Sequence, residues 1–270
     1  MTYKLSRALA YRPELTDYSG FAQIDGEHPL QRCPNAYILY QVRRRTQGKL
    51  AFFNFSLAKE MGLLTEDHAE IINQELERIF LQTFSLQIIN EYDVQNKVIT
   101  KDEILPQQYM ATRYLQLQHP DKRGLNSGDG RSIWNGLFSS KHGQWDITSC
   151  GTGATRLSPA CNINKKFYQT GDPTVSYGCG LSDLDEGLST LFFSEVLNRN
   201  HYSTERLLCI IEFPNKTGIH VRANKNLLRP GHVFRALKQG KKEELRPLLD
   251  YYIQRQVNNC EWENVPVKPE

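Results

Sequence analysis

A mixed α/β layer structure is the fold class predicted by the sequence, and three observations predict it. Helix-type and strand-type segments follow one another in the order helix, strands, helix, strand, helix. The helix-type segments carry apolar residues three and four apart, along one stripe. A nearly continuous apolar run, Arg206 to Phe213, has the pattern of a strand covered on both faces.

In order, residues 1–35 are rich in turn formers (Pro13, Gly20, Gly26, Pro29, Pro34) and read as an extended arm. Ala36 to Val42 reads as a strand. Thr65 to Phe84 is the clearest helix: Thr65 is placed to cap it, Glu66 and Asp67 suit its positive end, and Ile72, Leu76, Ile79 and Phe80 share a face. Arg131 to Leu137 and Trp145 to Ser149 read as two strands joined by a Ser-Ser-Lys-His-Gly turn. Residues 151–181 contain Gly, Pro and Asn breakers and read as irregular. Leu184 to Asn198 is expected to be helical, with Leu188, Leu191, Phe192 and Val196 facing inward. Lys241 to Gln256 reads as an amphipathic helix with Leu245, Leu248, Leu249, Tyr252 and Ile253 on its stripe, its regular part starting near Arg246 because Pro247 suits a first turn. The tail from Glu261 is expected to be poorly ordered.

With 270 residues, 39% hydrophobic and 10% aromatic, the chain has ample material for a packed core. It has no apolar run of membrane-spanning length, so no membrane partner is expected. The 33 basic and 30 acidic residues nearly balance, which argues against nucleic acid as a partner, and Arg43-Arg44-Arg45 reads as a solvated strand edge. The six cysteines (Cys33, Cys150, Cys161, Cys179, Cys209, Cys260) form no CxxC pair and no zinc-type spacing. The first residues lack a hydrophobic signal core, so a cytoplasmic chain with free thiols is expected.

The chemistry-bearing stretches are glycine-rich. Closely spaced glycines beside a strand expose amides that form an anion-binding concavity, and a guanidinium beside them grips two phosphate oxygens at once. Gly128-Asp129-Gly130-Arg131 has this make-up, although an Asp-Gly turn explains it equally when read alone. Cys150-Gly151-Thr152-Gly153 follows a strand, Tyr177-Gly178-Cys179-Gly180 precedes a helix, and Arg222 and Arg229 stand seven apart. The seven histidines are scattered and read as solvated or locally bonded. Asp183, Asp185 and Glu186 read as partners of a helix dipole rather than as a metal cluster.

Taken as an ordered series, these stretches resemble the selenoprotein O (SelO, YdiU) family of kinase-like proteins. The residues that carry the resemblance are Asn54-Phe-Ser-Leu-Ala-Lys-Glu-Met-Gly-Leu63, Gly128-Asp-Gly-Arg131, Trp145-Asp146, Gly151-Thr-Gly153, Gly178-Cys-Gly180, Ser194-Glu195 and the pair Arg222 and Arg229. They cover residues 36–256. The resemblance implies a protein-kinase-like N-terminal lobe over that range, with a mixed or antiparallel sheet and packed helices, between an arm (1–35) and a tail (257–270). It implies ATP as substrate, with magnesium, and transfer of AMP to the hydroxyls of protein substrates. By position it implies that Gly128, Gly130, Arg131, Cys150, Cys179, Gly180, Arg222 and Arg229 line the nucleotide site. The chain departs from the family at three places: Cys150 replaces a lysine, Thr190 the glutamate that pairs with it, and Cys179 an aspartate. The loss of both partners of an ion pair is self-consistent, since one alone would leave an uncompensated charge; Lys165 or Lys166 is a substitute cation to look for. The family's catalytic aspartate and metal-binding Asn and Asp lie beyond the paired arginines, so a chain ending at Glu270 is expected to be the nucleotide-binding half. The alternative is a catalytically inactive nucleotide-binding scaffold.

Overall fold

The computed structural model describes residues 18–262, apart from 118, 120, 121 and 176–178. The strands and helices are, in chain order, β1 (Tyr37–Arg44), β2 (Lys49–Phe53), α1 (Phe55–Met61), α2 (Gln74–Phe84), β3 (Leu86–Ile88), α3 (Glu91–Asn96), β4 (Gln108–Thr112), β5 (Ser132–Ser140), β6 (Gly143–Cys150), α4 (Pro159–Asn164), α5 (Leu184–Arg199), β7 (Arg206–Glu212), β8 (Gly218–Asn224), α6 (Pro230–Gln239) and α7 (Lys242–Asn258). The eight strands form one sheet in the order β2-β7-β8-β6-β5-β4-β1-β3, with antiparallel pairing throughout.

The four strands β5, β6, β7 and β8 are buried along most of their length, because helices and the N-terminal segment cover them. That is why β7 reads as a continuous apolar run and not as an alternation. One core cluster joins Phe53, Leu57, Phe80, Phe84, Phe138, Ile147 and Ile211, and each such fully buried side chain contributes about 1.5–3 kcal/mol. A second gathers Leu30, Trp134, Leu227 and Leu248 between the sheet and α7.

Several expectations are corrected. Over its described residues 18–35, the segment read as an extended arm forms two 3-10 turns, Ser19–Gln23 and Pro29–Arg32, that bury Phe21 and Leu30. Its Asp25 exchanges both backbone hydrogen bonds with Leu137 of β5, at 2.8 and 2.9 Å. The helix read from Thr65 starts only at Gln74, where the Asn73 side chain accepts from Leu76 N at 2.8 Å. The cause is His68: it is buried and bonded to the Tyr18 hydroxyl at 3.1 Å and to Ala69, which pulls the preceding residues into a turn. In α5, Leu188, Phe192 and Val196 are exposed, and Gly187 and Ser194 face the sheet. The last helix begins at Lys242 with Pro247 inside it. Its buried positions are Glu244, Leu248 and Arg255, whereas Leu249 and Ile253 are exposed. The tail beyond Trp262 lies outside the described residues.

No helix among the described residues is long and apolar enough to cross a membrane. All six cysteines are free thiols.

Candidate functional site

The site is built where β5, β6 and β8 end beside α5 and α6. Arg131 immediately precedes β5, and Cys150 closes β6 opposite Ser132. Arg222 sits in β8, between Thr148 of β6 and Leu207 of β7. The chain then turns back: Leu227 N donates to buried Asp146 at 2.8 Å, which places Arg229 at the N-terminus of α6 with Pro230 in its first turn. Gly130, Arg131, Cys150, Glu186, Arg222 and Arg229 thereby line one cleft of about 120 Å³, with Tyr114 and Gln116 completing its wall.

Its charges are internally paired. Arg131 forks onto Glu186, with Nη2 donating to Oε1 at 2.5 Å and Nη1 to Oε2 at 3.0 Å. Burial pushes the Glu186 carboxyl up, but the Arg131 guanidinium and the Ser182 hydroxyl hold it below the usual carboxylate range. Glu205 accepts from Arg222 Nη1 at 2.8 Å and lies 3.5 Å from Arg229 Nη2. Burial alone would lower the Arg222 pKa, yet the charge of Glu205, followed by Cys150 and Asp129, raises it. Arg229 lies over the Tyr114 ring at 5.2 Å. One donor is left over: the buried Nε of Arg222 has no hydrogen-bond partner among the described residues. A buried orphan donor of this kind costs about 1–3 kcal/mol until something accepts from it.

The aspartate of Gly-Asp-Gly-Arg also lines the cleft and is tied to the sheet through one of its oxygens. Asp129 Oδ2 accepts from Thr112 N at 2.8 Å, Thr112 Oγ1 at 2.6 Å and Trp134 Nε1 at 3.1 Å, so it fixes β4 against β5. Behind it, His232 Nδ1 accepts from Arg229 N at 2.9 Å and Nε2 donates to Thr112 Oγ1 at 3.0 Å. Of the histidines read as solvated or locally bonded, His28, His68, His119, His220 and His232 are buried, and His68 and His119 are bonded locally, to Ala69 and Gln116.

Two of these histidines make stability pH-dependent. Burial lowers His232 to about 3, with Arg229 and Arg235 adding to it. Burial likewise lowers His220 to about 4, Glu186 opposing and Arg222 and Arg131 assisting. In the unfolded chain both take up a proton near pH 6.5, whereas the folded chain does not until well below pH 5. Stability is therefore complete above pH 6.5 and falls as pH drops from 6.5 toward 4, with about one proton per histidine. Urea midpoints measured from pH 7 to 4.5 are expected to fall less steeply in His232→Gln than in the wild type. Equal slopes would refute the assignment.

Of the residues expected at the site, Gly130, Arg131, Cys150, Arg222 and Arg229 converge on the cleft. Gly128, Cys179 and Gly180 are not among its lining. Gly128 packs so tightly on β4 that a Cβ would stand 2.0 Å from Thr112 O. Gly180, at φ +89°, lies against the loop after β6, where a Cβ would stand 1.9 Å from Ala154 N. Cys179 O accepts from Gly171 N at 2.8 Å. Tyr177 and Gly178 lie outside the described residues. Thr190 donates to Glu186 O within its own helix, at 2.8 Å. Lys166 lies over the Tyr168 ring and Lys165 caps α4, so neither supplies a cation to the cleft. Sequence reasoning missed Glu186 and Glu205 as arginine partners. Glu186, one turn before Thr190, was read only as a dipole partner, and Glu205 has no local pattern that marks it.

No family model matches this chain. Proteins named protein nucleotidyltransferase YdiU from Shewanella loihica, Shewanella pealeana and Shewanella halifaxensis are each 29% identical to it over 136 residues, covering 47% of this chain and 25% of the relative. Over that stretch the chain is similar to the YdiU proteins. It matches about a quarter of the length of these curated relatives. Among the described residues, no group of three or more His, Cys, Asp and Glu side chains is placed to hold a metal ion. The carboxylates nearest the cleft are engaged instead, Asp129 by Thr112 and Trp134, Glu186 by Arg131, and Glu205 by Arg222. With these bonds in place, the described residues hold no ready-made magnesium site.

Proposed function

We propose that this chain grips the phosphates of a nucleotide, ATP by the family relationship, in the cleft between Arg131, Arg222 and Arg229. In this reading it is the nucleotide-binding portion, with a kinase-like lobe over 36–256, of a YdiU-type protein nucleotidyltransferase. The observation that carries the reading is the convergence of three guanidinium groups from three separate elements, one of them with a buried donor left unpartnered. A volume of about 120 Å³ is below the roughly 300–1,000 Å³ of pockets that enclose whole ligands, so it suits phosphates with the nucleoside lying outside.

The arginines exchange carboxylate partners for phosphate oxygens, which have the same fork geometry. In AMP transfer, a protein hydroxyl oxygen bonds to the α-phosphorus and pyrophosphate leaves. Guanidinium groups fixed beside the phosphates stabilise the charge that gathers on the leaving group. A second reading, a binding module without catalysis, is favoured by one specific observation: a thiol at Cys150 and a helix-bonded hydroxyl at Thr190 stand where the resembling family places a lysine and its glutamate.

Calorimetric titration of the chain with ATP and with pyrophosphate tests the proposal. Saturable binding of both, weakened by added salt, is expected; no heat at millimolar ATP would overturn it. Incubation with labelled ATP tests the second reading from one side, since only labelling would exclude a module without catalysis. The chain alone is expected to give no AMP–protein product, and robust labelling would mean that these residues suffice for transfer.

A further inference from the structure

The outer face of α5 has an arrangement that surface helices avoid. Such helices turn their large apolar side chains to the core and polar ones to water. Here small residues, Gly187 and Ser194, lie against the sheet, and Leu188, Phe192, Phe193, Val196 and Leu197 are exposed. The two phenylalanines are 65% and 63% exposed, and their rings meet edge to face with centroids 5.6 Å apart. Five such residues on about three turns make an apolar patch on the order of several hundred Å², the size that marks interaction sites.

The charges on this face say what covers it. Asp185 in the first turn and Arg199 in the last are exposed, and neither has an ion-pair partner among the described residues. Each stands seven residues from Phe192, which is two helical turns or about 10 Å. Leu188 and Val196 each stand four residues from it. The stripe is therefore complementary to itself under a two-fold axis through Phe192. An antiparallel second α5 sets Phe192 on Phe192, Leu188 on Val196, and Asp185 on Arg199, the last two contacts occurring twice. A parallel copy would set Asp185 on Asp185 and Arg199 on Arg199, like charges at both ends.

We propose that the chain self-associates through an isologous antiparallel pairing of α5, centred on Phe192. The contact lies beside the cleft, because Glu186 on the first turn of the same helix is the partner of Arg131. It rests on this face alone and stands whether or not the cleft binds a nucleotide.

Sedimentation velocity on the purified chain, from low to high micromolar concentration, is the test. A reversible dimer is expected, and Phe192→Glu is expected to abolish it. Asp185→Arg and Arg199→Asp, each folded by circular dichroism, are expected to weaken it about tenfold by facing like charges across the axis. Combining both substitutions in one chain is expected to restore it, and an equimolar mixture of the two single variants to give a heterodimer. If Asp185→Arg disturbs the helix start, Arg199→Asp and its rescue by the mixture carry the test. A monomer at every concentration would overturn the proposal. So would a dimer indifferent to both charge reversals, or binding of the monomeric chain to phosphatidylcholine vesicles, which would assign the patch to lipid.

Discussion

Asp146→Ala is expected to lower the unfolding free energy by about 3–5 kcal/mol, the usual cost of stranding a buried charge. Asp146 is fully buried in β6, and its two oxygens tie four segments together. Oδ1 accepts from Arg255 Nη2 of α7 at 2.6 Å and meets His28 Nε2 of the N-terminal turn at 2.9 Å; Oδ2 accepts from Leu227 N, ahead of α6. Arg255 is itself 2% exposed, and its Nε donates to Lys225 O at 2.9 Å, so without Asp146 its charge has neither water nor a counter-ion. The effect is therefore specific to the charge that remains. Asp146→Ala combined with Arg255→Met is expected to recover most of the loss, since a buried ion pair replaced by apolar groups is often neutral. Urea unfolding with an unchanged slope and a shifted midpoint is the readout. If the double variant were no more stable than Asp146→Ala alone, the carboxylate would matter for packing and not for its charge.

Asp146 also shows what the sequence can and cannot disclose. Trp145-Asp146 is visible as a strand with a carboxylate in it, but its partners lie 118 and 109 residues away, and no local pattern points to either. The same divide runs through the whole chain. The hairpin of β5 and β6, the run of β7 and the body of α5 were legible because each has its own period or turn chemistry. The start of α2 was not, because a tertiary contact of His68 with Tyr18 overrides the capping signal at Thr65. The inward face of α5 was misread because hydrophobicity was equated with burial, where Gly187 and Ser194 allow the close approach instead. At the cleft, the arginines are legible through the resemblance to the SelO family, while their glycine neighbours and spacing read alone fit turns and surface residues equally. The acids that hold them, Glu186 and Glu205, became visible only in three dimensions.

Arg222→Ala is expected to weaken ATP and pyrophosphate binding by about 30-fold or more, since truncating a buried charged donor costs about 2–5 kcal/mol and 1.4 kcal/mol is a factor of ten. Arg131→Ala is expected to cost about tenfold, because its guanidinium is more exposed and is already shared with Glu186. Loss of affinity alone, however, also follows from a collapsed site, so the decisive variant is the one with the opposite sign. Glu205→Gln removes the negative charge that Arg222 and Arg229 share, while its amide oxygen still accepts from Arg222. Phosphate then approaches two guanidinium groups without a competing carboxylate, and at an effective dielectric constant near 20 this is expected to tighten binding about five- to tenfold. The gain is expected to shrink in high salt, in step with the wild-type affinity. Calorimetry on the three variants thus has a signature that damage to the fold cannot mimic: two losses and one gain around the same ion pairs. If Glu205→Gln weakened binding as Arg222→Ala does, the carboxylate would be holding the arginines in place for the ligand and not competing with it, and the exchange of partners argued for this cleft would be wrong.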